Sequence, residues 1–168
     1  TCRAATASGR GDMTLKNLLV GVPAMLVCLI VQVTVVFWCV RYCARRSAPG
    51  PGDRVLLAAV RPLVASMLAL MIANVLQIAL WGWLFVLLGE FEDLYPAIYH
   101  SAVNFTSLGY GDVVMNQEWK LLGPLEAANG VLMLALTAAT LTAVLQNIIR
   151  SQVDAIAAEQ RPNPDSRN

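Results

Sequence analysis

The sequence predicts an all-α membrane protein, with three transmembrane helices and a shorter helix that enters the bilayer without crossing it. Three observations lead there. The 168 residues are 57% hydrophobic and 14% charged, with a mean hydropathy of +0.59, whereas a soluble domain carries about a quarter charged residues. Three stretches, 17–40, 62–89 and 121–149, contain no charged residue except Glu126, and each exceeds the roughly 20 apolar residues that cross the hydrocarbon core. The segment between the second and third stretches reads as one short helix followed by a glycine-rich return, too short to span. So small a chain has no soluble core large enough to hide such helices.

The elements follow in order. Residues 1–15 are small and polar, and are expected to form a disordered extracellular segment or a leader, with Met13 a candidate start. Residues 16–41 form an additional transmembrane helix. Its apolar run is too long for a signal-peptide core and no small-residue cleavage site follows it. It carries no arginine at every third position, which argues against a voltage sensor. Cysteines 2, 28, 39 and 43 make no CxxC pair, so packing is their expected role rather than metal binding.

Residues 42–61 form a basic linker, and the turn-rich stretch 47–53 (Ser-Ala-Pro-Gly-Pro-Gly-Asp) is expected to stop any helix. An outer helix over 62–89 starts with Pro62 in its first turn. It ends in Trp81, Trp83 and Phe85, aromatics expected at the outer membrane interface. Asn74 and Gln77 within it are expected to hydrogen-bond neighbouring helices. Asp93-Leu94-Tyr95-Pro96 reads as a helix start, with acid and proline near the N-terminus, and places a short helix over 95–106. An inner helix covers 121–150. The tail, 151–168, is too short for a ligand-binding domain. Ile149, Val153 and Ile156 can extend the inner helix into a small bundle until Pro162 and Pro164 end it.

Charge sets the orientation. Arginines 41, 45, 46, 54 and 61 face only Asp53 in one loop, and Glu90, Glu92, Asp93, Asp112 and Glu118 face only Lys120 in the other. Short cytoplasmic loops collect Lys and Arg, so the N-terminus is expected outside and the C-terminus in the cytoplasm.

The return loop reads Thr106-Ser107-Leu108-Gly109-Tyr110-Gly111-Asp112. Irregular backbone survives at membrane depth only where protein buries it or water reaches it. A dehydrated cation needs rings of oxygens in place of its water shell, which backbone carbonyls of four loops around one axis supply in a potassium filter. Turning successive carbonyls to one side needs positive φ, cheap only for glycine, hence Gly109 and Gly111. The ion-binding set is then Ser107, Leu108, Gly109, Tyr110 and Gly111, with a dehydrated cation held at the carbonyls of the first four. Ser107 adds a hydroxyl at the innermost site. Leu108 and Tyr110 side chains are expected to pack against the short helix. Asp112 sits at the mouth, concentrating cations, and the short helix aims its carbonyl end at the ion path.

Ser107 to Asp112 resembles the filter signature of the potassium channel family, usually written Thr-Val-Gly-Tyr-Gly-Asp, and the order of outer helix, short helix, loop and inner helix over about 62–150 resembles that family too. With its extra first helix, the chain is similar to small bacterial members. The resemblance implies a homotetramer in a lipid bilayer, in a bacterial inner (plasma) membrane, passing K+ through filter residues 107–112, with the short helix as pore helix and Gly130 as gating hinge. Thr106, Asp112, His100, Val103 and Glu126 are the residues expected to support the filter. Here Ser107 stands for threonine, Leu108 for valine or isoleucine, Tyr99-His100 for a tryptophan pair, and Val103 where some relatives carry an acid. His100 has two readings, an external pH sensor or a hydrogen-bonding residue behind the filter, and the second is preferred. The rival readings are a weakly selective cation channel and a non-conducting membrane scaffold. No nucleophile elbow, acid pair flanking a histidine, or phosphate loop is present in the sequence, so neither an enzyme, nor a cofactor, nor a nucleic-acid partner is expected, and K+ enters as the permeant ion.

Overall fold

The computed structural model describes residues 2–46 and 54–159, with side chains over 11–45, 60–154 and at 157. The expected stop at 47–53 and the prolines 162 and 164 lie outside the described residues. Four helices follow one another: α1 (Cys2–Arg46), α2 (Arg54–Leu87), α3 (Leu94–Phe105) and α4 (Leu122–Glu159). Stretches 11–45, 60–87 and 122–154 of α1, α2 and α4 are long and apolar enough to cross a membrane. With every described residue in helix, turn or loop, the chain is an all-helical integral membrane protein.

The helix limits depart from the sequence reading at four points, one of them the end of α1, which runs to Arg46, five residues past the expected 41. α1 starts at Cys2, so residues 2–15 of the segment 1–15 expected to be disordered are helical. α2 starts at Arg54, placing Pro62 inside the helix rather than in its first turn. Helices in a membrane tolerate such prolines because neighbouring groups take up the freed backbone. α3 agrees within one residue, and α4 continues nine residues past the expected end at 150.

The chain folds as two compact units, residues 1–34 with 71–136, and residues 35–70 with 137–168. In the first, Cys28, Trp81, Phe85, Ala97, Met115 and Leu122 form a buried cluster. Trp81 and Phe85 are fully buried and only Trp83 is exposed, so two of the three aromatics expected at the interface are core residues instead. Their rings pack with Phe91 and His100: Trp81 on Phe85, and Phe85 on both others. In the second unit Cys43, Val144 and Ile148 pack with Leu63. Cys43 Sγ lies 3.6 Å from Ser66 Oγ, and Cys39 Sγ 4.0 Å from the Ser66 carbonyl. Cys28, Cys39 and Cys43 are buried and form no disulfide among the described residues, serving as small packing residues.

α1 is organised by one stripe. Its buried residues are Asn17, Gly21, Cys28, Gln32, Cys39 and Cys43, a pattern that recurs every 11 residues (17, 28, 39 and 21, 32, 43). Eleven residues are three turns at about 3.67 per turn, so the stripe runs nearly along the helix axis. Every member is small or polar, while Leu19, Ile30, Phe37 and other large apolar residues are exposed. Lipid tails are as apolar as leucine, so in a membrane close approach and hydrogen bonds, not hydrophobicity, hold helices together. Gly21 illustrates the approach: a Cβ there would meet Leu125 Cδ1 at 2.7 Å. Asn17 Nδ2 donates to the Glu118 carbonyl at 2.6 Å. The nearby Lys16–Glu118 ion pair is exposed on both sides and contributes at most about 1 kcal/mol.

Candidate functional site

α3 begins after Asp93, whose extended backbone starts the helix without a side-chain cap. It buries Ala97, His100, Ser101, Val103 and Phe105, which leaves Tyr99 free to reach forward. α3 stops by a defined device. The Leu108 N–H donates to the Val103 carbonyl at 2.9 Å and the Ser107 N–H to the Asn104 carbonyl at 2.8 Å. These are the two bonds of a Schellman stop, whose turning residue must take the left-handed conformation. That residue is Ser107, at φ +58°, the only non-glycine residue with positive φ among those described. Gly109 and Gly111 follow at +60° and +74°. Every second residue of 107–111 is therefore left-handed. The left-handed serine is the feature that the sequence does not announce, since glycine usually holds such a position. Thr106 caps the helix, its Oγ1 donating to the Ala102 carbonyl at 2.7 Å.

Val103 is buried, and its carbonyl also faces the Gly109 N–H at 3.4 Å. The side chains of Leu108 and Tyr110 are 56% and 66% exposed in the single chain. The sequence reading expected them to pack against the short helix; in the single chain more than half of each side chain stands open.

Behind the loop lies a chain of hydrogen bonds. His100 Nδ1 lies 2.9 Å from the Val113 carbonyl, an acceptor, so the proton sits on Nδ1. Nε2 then accepts from Asn104 Nδ2 at 2.9 Å. The same amide donates to Glu126 Oε2 at 3.3 Å. Glu126 Oε1 makes a very short hydrogen bond with Ser101 Oγ, which also lies 2.8 Å from the Ile78 carbonyl. Glu126 has no exposed surface. It thus joins α4 to two residues of α3 one turn apart, and through Ser101 to α2.

At the far end of the loop Tyr99 donates its hydroxyl proton to Asp112 Oδ2 at 2.7 Å. This bond holds the Asp112 carboxyl below the usual carboxylate range and raises the Tyr99 phenol. Asn116, just beyond, donates from its backbone to Glu90 Oε2 at 2.7 Å. Burial pushes His100 below the ordinary imidazole value, partly opposed by the Val113 carbonyl and by the charges of Asp112 and Glu90. Folding therefore favours the neutral ring, and below about pH 6.5 the unfolded chain takes up the proton more readily. Thermal stability is expected to fall on acidification from pH 7 through this window, and to fall less steeply in His100→Gln. A midpoint independent of pH between about 7 and 5.5 would contradict the neutral, doubly bonded ring.

Gly130, expected as a hinge, lies where α4 meets the end of α3. A Cβ on it would fall 1.9 Å from the Phe105 carbonyl oxygen. Glycine is required there by close approach, whether or not the helix bends. The structure thus brings His100, Val103, Thr106, Ser107, Asp112, Glu126 and Gly130 together around one loop. It adds Ser101, Asn104 and Tyr99, which the sequence reading did not assign; their polar side chains at positions 99, 101 and 104 of a short helix were the available signal.

Residues 67–147, spanning most of α2, all of α3, the loop and much of α4, match the family model described as ion channel. No curated protein and no solved structure matches the chain.

Proposed function

From a segment similar to ion channels, we propose that the chain is one subunit of a homotetrameric, potassium-selective channel. The observation that carries the reading is the left-handed backbone at Ser107, Gly109 and Gly111. In an extended strand successive carbonyls alternate sides. Left-handed φ at every second residue turns the intervening peptides, so that the carbonyls of 107–110 share one side, as a dehydrated cation requires. α3 is the pore helix in this reading, its carboxyl end toward the ion path. The network of His100, Asn104, Glu126 and Ser101 fixes the loop from behind, and Tyr99 steadies Asp112 at the mouth. Exposed Leu108 and Tyr110 are side chains for a neighbouring copy to cover, since one loop closes no ring. The arginine-rich loop at 41–61 favours a cytoplasmic C-terminus.

The test is flux of K+ against Na+ from liposomes holding the purified tetramer, repeated with Gly109→Ala. Strong preference for K+, lost with the substitution, is the expected result. A Cβ at φ +60° costs about 1–2 kcal/mol per residue, and four subunits share the ring. Equal flux of both ions would leave a weakly selective cation channel, and a stable monomer would remove the pore altogether.

A further inference from the structure

The first helix meets α2 and α4 in two polar layers, both within the unit of residues 1–34 and 71–136. One layer holds Cys28, Trp81 and Asn129. One turn along each helix, the other holds Gln32, Gln77 and the backbone of Met133. The second layer is bonded directly: Gln77 Nε2 donates to Gln32 Oε1 at 2.8 Å, and Gln32 Nε2 reaches the Met133 carbonyl, weakly, at 3.5 Å. The first layer is not. Trp81 and Asn129 face the sulfur of Cys28, a weak acceptor that leaves their polar atoms short of a full hydrogen bond. Four polar atoms of these layers have no hydrogen-bond partner among the described residues: Trp81 Nε1, Asn129 Nδ2, Asn129 Oδ1 and Gln77 Oε1. The residues that carry them, Trp81, Asn129 and Gln77, are 0%, 1% and 1% exposed.

We infer that these residues bind one water molecule inside the membrane, at the junction of α1, α2 and α4. The chemistry selects it. Two of the four atoms are donors (Trp81 Nε1, Asn129 Nδ2) and two are acceptors (Asn129 Oδ1, Gln77 Oε1), which matches the two lone pairs and two protons of a single water. A cation would meet two N–H groups and an anion two carbonyl oxygens. A second copy of the chain and lipid are both excluded, because the groups are closed off within one chain. Left unpaired in an apolar setting, such groups cost far more than a bound water does. The site also accounts for the presence of α1, whose Cys28 and Gln32 close its side against lipid. Asn129 immediately precedes Gly130, so the water lies beside the turn on which α4 meets α3. This inference does not depend on which ion the protein passes.

The test uses the full chain, tetrameric as purified, labelled with 15N in nanodiscs. The Trp81 indole N–H is identified by its loss in Trp81→Phe. Magnetisation transfer from water to that N–H is expected despite its burial, and is expected to vanish in Asn129→Leu while the indole signal persists. Trp81→Phe is also expected to lower the thermal midpoint by roughly 2–4 °C, through the lost donor to the water together with the lost packing against Phe85. No transfer in the unmodified protein would overturn the inference. So would a higher midpoint in Trp81→Phe, the result for a dry site relieved of an unpaired donor. Should Asn129→Leu fail to fold, the other two measurements still decide.

Discussion

Gly130→Ala is expected to destabilise the protein and abolish ion flux, although alanine is the better helix former. In an exposed helix interior the exchange would gain about 0.8–1.0 kcal/mol. Here the new methyl falls 1.9 Å from the Phe105 carbonyl oxygen, 2.7 Å from its carbon and 2.8 Å from its Cα. These are backbone atoms, so no side chain can swing aside. Overpacking of this kind costs about 1–3 kcal/mol and sometimes more, so the sum is unfavourable. α3 must move away from α4, carrying the Schellman turn and the left-handed loop with it. Thermal unfolding and liposome flux check both halves. A variant of unchanged or greater stability with altered opening would favour a hinge alone over close approach.

Glu126→Ala is the second large effect. It removes a fully buried side chain and leaves Ser101 and Asn104 without their shared partner. A cavity and unpaired polar groups together place the loss at about 2–5 kcal/mol. Glu126→Gln is expected to recover most of it. Its carbonyl oxygen can accept from Asn104, and its amide can donate to the Ser101 oxygen, freeing the serine proton for Ile78. The pair separates shape from chemistry: if Gln is as damaging as Ala in thermal unfolding, the hydrogen-bond network is not what Glu126 supplies. On the proposed reading, Ala is expected to cost selectivity in flux measurements before it costs assembly, because the network lies behind the loop.

The spans were legible because lipid imposes one demand on length and charge, and 17–40, 62–89 and 121–149 meet it. The short helix was legible from Asp93 to Pro96, and the loop from its two glycines. What the sequence hid was of another kind. Ser107 takes a conformation that serine rarely adopts, and only the Schellman bonds to Val103 and Asn104 impose it. Trp81 and Phe85 look like interface aromatics at the end of an apolar run, yet Cys28 of α1 and Ala97 of α3 cover them. Small, polar and apparently featureless, residues 2–15 extend a helix whose later turns are held by packing. Pro62 reads as a start because proline favours first turns, but the helix had already begun at Arg54. In each case a contact distant in sequence decided a local choice.

The 11-residue stripe on α1 turns helix length into a counting rule. One residue inserted between Gly21 and Cys28 would rotate everything after it by about 100°, carrying Gln32 away from Gln77 and Cys43 away from Ser66, and turning large apolar side chains inward. An insertion of 11 would restore the alignment almost fully, while shifting the helix along its axis by about 16 Å at 1.5 Å per residue. Drift in the length of this helix is thus penalised unless it comes in whole repeats, and α1 acts as a ruler as well as a wall.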